Sequence, residues 1–123
     1  MQNLRYVGKN LFIEKLSINN IVKKNKTPFY LYSENQIINN YLKFTKSFKK
    51  TNPLVCFAAK SNSNVAILKI LGKLGAGADV VSGGELLKAL KAGIKASKIV
   101  FSGVGKTESE LKIAINKKIL LIN

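Results

Sequence analysis

The chain has 123 residues, with 21 Lys and Arg against six Asp and Glu, a formal net charge of +15, and 46% hydrophobic residues. That is one small domain or part of a larger one, and the apolar content excludes a disordered chain despite the charge. A lone Cys56 excludes an internal disulfide framework, the absence of His argues against a zinc site, and the longest apolar run, residues 54–59, is far too short for a membrane span.

Residues 1–27 are polar and weakly patterned, and no element is predicted there. From Pro28 the texture changes. Phe29–Tyr32 reads as a short strand, and Ser33-Glu34-Asn35-Gln36 has the S-x-x-Q form of a capping box. Ile37, Ile38, Tyr41, Leu42, Thr45 and Phe48 follow at helical spacing, and Asn52-Pro53 ends that helix. Leu54–Ala59 then reads as a strand buried on both faces. Ile67, Leu68, Leu71 and Leu74 mark a helix closing at Gly75, and Ala78–Val81 is the next strand. Ser82 to Glu85 forms a second capping box, before a helix carrying Leu86, Leu87 and Leu90 that stops at Gly93. Ile99–Phe101 is a third strand, Thr107 to Glu110 a third box leading into Leu111, Ala114 and Ile115, and Ile119–Ile122 a fourth strand.

Strands thus recur about every twenty to twenty-four residues with a helix between each pair, the rhythm of parallel β/α architecture. The spacing suits a (β/α)8 barrel, which typically needs about 250 residues. Residues 28–123 supply about four of the eight units, after a lead-in segment at 1–27. The fold expected is α/β, the N-terminal half of a TIM-type barrel, and the chain is read as the N-terminal part of a longer protein or a truncated copy of one.

The sequence pI near 10.1 raises the question of nucleic acid. Lys43, Lys46, Lys49 and Lys50 share one helical face beside a second cluster at Lys23, Lys24 and Lys26. Yet Arg5 is the one arginine, and a binder of phosphates and base edges relies on the planar arginine fork. The lysines are also spread along the whole chain, so a solvated cationic surface is the favoured reading and a basic nucleic-acid-binding module the lesser alternative. The opening MQNLRYVGKN has no apolar core of a secretory signal. The expectation is a cytoplasmic, reducing-compartment protein with no membrane partner.

In barrels of this kind reacting groups lie at the C-terminal ends of the strands. Lys60 follows Val55-Cys56-Phe57-Ala58-Ala59 directly, and an amine at the mouth of an apolar strand is a candidate Schiff-base former. One lysine among twenty must end a strand somewhere, so position alone does not settle it. The next two loops contribute Ser82-Gly83-Gly84-Glu85 and Ser102-Gly103-Val104-Gly105-Lys106-Thr107. Glycines there let the backbone approach a ligand, although capping already explains Glu85 and Glu110. GVGKT at 103–107 is not a P-loop, because the glycine the pattern needs five residues before Gly105 is Val100. Gly75-Ala76-Gly77 likewise lacks the third glycine of a dinucleotide fingerprint, since position 80 is Val80. Asp79 lies inside an otherwise apolar strand and must find a partner or line a polar cavity. Cys56 is expected to pack as a small core hydrophobe.

The stretch FAAKSNSNVAILKILGKLGAGADVVSGGELLKALKAGI, with KIVFSGVGKTESEL after it and TPFYLYSENQI before it, resembles the N-terminal barrel segment of the diaminopimelate decarboxylase family. That family belongs to the alanine racemase/ornithine decarboxylase fold group, which uses pyridoxal 5'-phosphate. The resemblance covers residues 27–123, and the SGGEL and FSGVGKT loops set it apart from ornithine decarboxylases. It implies that Lys60 holds pyridoxal phosphate covalently and later handles protons, and that Asp79 and Glu85 match acids lying near that lysine. Phe57 and Ser61 depart from the family's Y-A-x-K-A-N form at the Tyr and Ala positions. The implied activity is decarboxylation of meso-diaminopimelate to L-lysine and CO2 in lysine biosynthesis, by a homodimer. The alternative within the fold group is a decarboxylase or racemase for another amino acid. The resemblance also implies parts beyond these 123 residues: a histidine stacked on the cofactor ring, a glycine-rich phosphate loop, an acid facing the ring nitrogen and a C-terminal β-domain. The chain alone is accordingly expected to be an incompetent decarboxylase.

Overall fold

The computed structural model describes residues 3–48 and 50–123. By its contacts the chain divides into two compact units, meeting between Lys43 and Phe44. In the first, β1 (Leu4–Val7), β2 (Asn10–Ile13) and β3 (Leu16–Ser17) form an antiparallel sheet in sequential order. Residues 1–27, for which the hydropathy pattern predicts no element, therefore hold a three-stranded meander followed by α1 (Ile18–Lys24). Hairpin turns in a sequence are usually signalled by Asn-Gly or Asp-Gly. Here the first turn uses Gly8-Lys9, and the second places Glu14 at φ +53°, a left-handed conformation uncommon for a non-glycine residue.

Helix α2 (Glu34–Lys46) starts where Ser33 predicts it, with Ser33 Oγ accepting from the Gln36 N–H at 3.0 Å. The reciprocal half of the box is absent. Gln36 donates instead to Asn40 Oδ1, and Glu14 supplies the carboxylate, accepting from Ser33 Oγ at 2.6 Å and the Asn35 N–H at 3.1 Å. These bonds hold Glu14 below the usual carboxylate range. The predicted strand at Phe29–Tyr32 is not one. The segment is extended, with Tyr30 and Tyr32 stacked on one side at 6.5 Å between centroids, but no neighbouring edge pairs with it. Strand propensity without a partner leaves only an extended strip.

The second unit contains β4 (Cys56–Ala58), α3 (Val65–Lys73), β5 (Gly77–Val80), α4 (Gly83–Lys91), β6 (Ile99–Phe101), α5 (Glu108–Asn116) and β7 (Leu121–Ile122). The sheet order is β4-β5-β6-β7, every pairing parallel. The two outer strands are shorter than predicted, whereas β6 has the predicted bounds. Because side chains alternate along a strand, Ala78, Val80, Ile99 and Phe101 point to one face. There they are buried with Leu68 of α3, Leu86 and Ala89 of α4, and Ala114 of α5. The opposite face carries Cys56, Ala58, Asp79, Val100 and Leu121, partly or fully exposed, while α3, α4 and α5 of this unit all pack on the other side. Parallel sheets are normally covered on both sides, so this face is the unfinished interior of a barrel. Among the described residues no helix is long and apolar enough to cross a membrane.

Candidate functional site

The chain leaves β4 through a single 3-10 turn, Ala59–Ser61, which carries Lys60. Ala59 is buried in the core, and that anchor leaves Lys60 exposed at the strand exit. Ser61 Oγ donates to the Ala58 carbonyl at 2.8 Å, and the Asn62 N–H donates to the Ala59 carbonyl at 3.1 Å. Asn62 Oδ1 in turn accepts from the Asn64 N–H, and Asn64 Oδ1 caps α3 through the Ala66 N–H at 2.9 Å. The turn is thus defined from both ends. It lies against β5 and α4, the elements bearing Asp79 and Glu85.

Asp79 is opposite Ala58 of β4 and Val100 of β6, on the uncovered face. One of its oxygens, Oδ1, is buried without a hydrogen-bond partner. An unpaired buried carboxylate oxygen is costly and calls for explanation, and a ligand on the barrel-interior side provides one. Cys56 shares this face. Burial, reinforced by the negative charge of Asp79 and opposed by Lys98, raises its thiol above the ordinary range, which makes it a poor nucleophile.

Glu85 has a different role. Its Oε2 accepts from the Val81 N–H at 2.9 Å, and its own N–H donates to Ser82 Oγ at 3.2 Å. The carboxylate therefore braces the exit of β5. The second predicted box is half formed, its side-chain bond reaching one residue beyond the cap. The third is complete: Thr107 Oγ1 accepts from the Glu110 N–H, and Glu110 Oε2 accepts from the Thr107 N–H at 2.9 Å.

Sequence spacing did not signal two long-range ties at this rim. Glu110 Oε1 also accepts from the Gly83 N–H at 2.7 Å, and Lys88 Nζ donates to Ser63 Oγ at 3.0 Å. The adjacent glycines at 83 and 84 are the one local hint of the first. The bonds from Gly83 and Thr107 hold Glu110 below the usual carboxylate range. The β6–α5 loop is equally self-contained. A Cβ at Gly103 would lie 2.4 Å from the Val81 carbonyl oxygen, so glycine there serves chain packing. Lys106 donates to the Gly103 carbonyl and sits over the Phe101 ring, 5.5 Å from its centroid.

A sheet of four parallel strands in sequence order, with its helices on one face, is the beginning of a TIM-type barrel, and Lys60 lies at the exit of its first strand. A family profile described as "Pyridoxal-dependent decarboxylase, pyridoxal binding domain" matches residues 34–123, and the chain belongs to that family. It is 47% identical over 120 residues to a diaminopimelate decarboxylase of Aquifex aeolicus, covering 98% of this chain and 28% of the relative. It is 52% identical over 98 residues to one of Helicobacter pylori, covering 80% and 24%. A crystal structure of diaminopimelate decarboxylase from M. jannaschii, in complex with L-lysine, superposes with a TM-score of 0.92 at 37% identity, over 100% of this chain and 30% of that one. The chain spans 24–30% of the length of these relatives.

Proposed function

We propose that the chain is the first part of the pyridoxal-phosphate barrel of a diaminopimelate decarboxylase, with Lys60 as the residue that holds the cofactor. The carrying observation is the exposed Lys60 at the β4 exit, in a turn that lies against β5, together with the buried Asp79 Oδ1 on the uncovered face of that neighbouring strand, without a partner among the described residues. These residues fit an aldehyde cofactor: the amine is an attachment point, and the acid on the adjacent strand offers a hydrogen-bond acceptor on the uncovered face. When bound, pyridoxal phosphate supplies the electron sink for the pair left as CO2 departs.

The chain's own residues position and exchange protons. Lys60 would hold the cofactor through its Nζ and, when not so engaged, its amine would carry a proton to or from the substrate carbon. Asp79 Oδ1, buried and without a partner among the described residues, is available to accept a hydrogen bond from a group seated on that face. Glu85 keeps the β5 exit in place through the Val81 N–H, and the contact of its helix with the Lys60 turn fits the family's acid near that lysine. The substrate, meso-diaminopimelate, is supported by the names of the relatives and by the L-lysine complex of one of them.

Incubating the chain with pyridoxal 5'-phosphate, reducing with borohydride and mapping peptides tests the site. Label concentrated on Lys60 over the other nineteen lysines is the expected result, and an even spread defeats the assignment. A protein of the relatives' full length that begins with this sequence should release CO2 from meso-diaminopimelate faster than from lysine or ornithine. The reverse preference would favour the second reading, a decarboxylase of another amino acid on the same fold.

A further inference from the structure

Helix α4 is tied to its surroundings at the rim by three directional bonds, each to a different element. Its first N–H, that of Gly83, donates to Glu110 Oε1 of α5 at 2.7 Å. Its Glu85 carboxylate accepts from the Val81 N–H at the end of β5, and Lys88 Nζ donates to Ser63 Oγ, three residues past Lys60. Leu86 and Ala89 bury the helix against the sheet, but apolar contacts are non-directional and do not by themselves fix where its first turn points.

A capping box needs one carboxylate oxygen, and Glu110 uses Oε2 for that purpose on the Thr107 N–H and hydroxyl. The other oxygen would ordinarily face water. Here it reaches a helix 27 residues earlier in the chain, across a gap that only glycine leaves open: a Cβ at Gly83 would stand 2.9 Å from Glu110 Cγ. We infer that Glu110 is a positioning residue for the Lys60 turn, fixing the start of α4 so that Glu85 and Lys88 hold the β5 exit and the 61–63 segment in register with it. This deepens the functional reading and rests on Lys60 being the reactive amine.

The test uses the whole 123-residue chain and compares Glu110→Ala, Glu110→Gln and Glu108→Ala. Glu108→Ala removes the same charge from the same helical turn, and among the described residues Glu108 pairs with Lys112 of its own helix, so it controls for charge alone. Amide hydrogen exchange should accelerate at Gly83 by about tenfold in Glu110→Ala, the scale of a lost bond to a charged acceptor. It should also accelerate at Asn62, whose N–H closes the Lys60 turn, and the share of borohydride-trapped pyridoxyl label on Lys60 should fall several-fold. Glu110→Gln, which keeps an acceptor for Gly83, should recover most of the protection at both amides, and Glu108→Ala should match the parent chain. Faster exchange at Gly83 with Asn62 and the Lys60 label unchanged overturns the inference, as does Glu108→Ala reproducing Glu110→Ala. If the parent chain shows no preference for Lys60, the functional reading fails, while exchange at Asn62 still decides whether Glu110 positions that turn.

Discussion

Asp79 shows how a residue can be retained at a cost to the fold. Its Oδ1 is buried and unpaired in a strand whose neighbours are Ala78, Val80 and Val81. Replacing an unsatisfied buried polar group by an apolar one is close to neutral or stabilising. Asp79→Ala should therefore unfold at equal or higher denaturant, by up to about 1 kcal/mol, while trapped label on Lys60 decreases. Denaturant titration and peptide mapping of the same preparations would check both, and a clear loss of stability would show that the carboxylate has a structural partner. The position of Lys60 at a strand exit was legible from the six-residue apolar run before it, whereas its candidate role came from the family resemblance. The roles of Glu85 and Glu110 were only half legible: both were recognisable as caps, but a bond to a backbone N–H on another element leaves no local sequence signal.

At the scale of elements, sequence reading succeeded where one local rule was enough. Ile99–Phe101 is bounded by polar residues and forms a strand with the expected limits, and Thr107 to Glu110 forms the expected box. It failed where pairing decides. The β1–β2–β3 meander lacks strong turn residues, and Phe29–Tyr32 has strand composition but no edge to join. Carboxylates from elsewhere in the chain stabilise two helix starts, Glu14 at α2 and Glu110 at α4, and both are held below the ordinary carboxylate range. For such groups the stability gain is complete above the unfolded value of about 4.3 and is lost as pH falls through the lowered folded values. Thermal melts should accordingly decline below about pH 4.3, and Glu14→Gln or Glu110→Gln should flatten that decline. Gly77 is the tightest backbone constraint in the sheet, since a Cβ there would lie 2.3 Å from the Lys98 carbonyl oxygen and 2.7 Å from Cys56 Sγ. Gly77→Ala should cost about 1–3 kcal/mol, read as a lower denaturant midpoint.

Across the whole molecule, the repeat of strand and helix made the architecture legible, while the division of labour between the two faces of the sheet became visible only in three dimensions. One face is closed by α3, α4 and α5. The other presents Ala58, Val100 and Leu121 around Asp79, between outer strands β4 and β7 whose free edges have no partner in this sheet. Exposed apolar surface of this sort takes up hydrophobic dyes. The chain should enhance anilinonaphthalene sulfonate fluorescence, and Val100→Lys together with Leu121→Lys should reduce it without lowering the melting temperature. Fluorescence indifferent to those two changes would place the dye elsewhere.

The one-sided sheet also has a temporal consequence. Each β/α unit of the second half rests mainly on the unit just before it, so its contacts close over short stretches of chain and are suited to forming as the polypeptide emerges from the ribosome. The bare side gains no cover in that order, because α3, α4 and α5 all lie on the other face. During synthesis the helix-covered wall would then be built while the apolar side chains opposite stay open to water, a period of exposure in which a chaperone has a surface to hold.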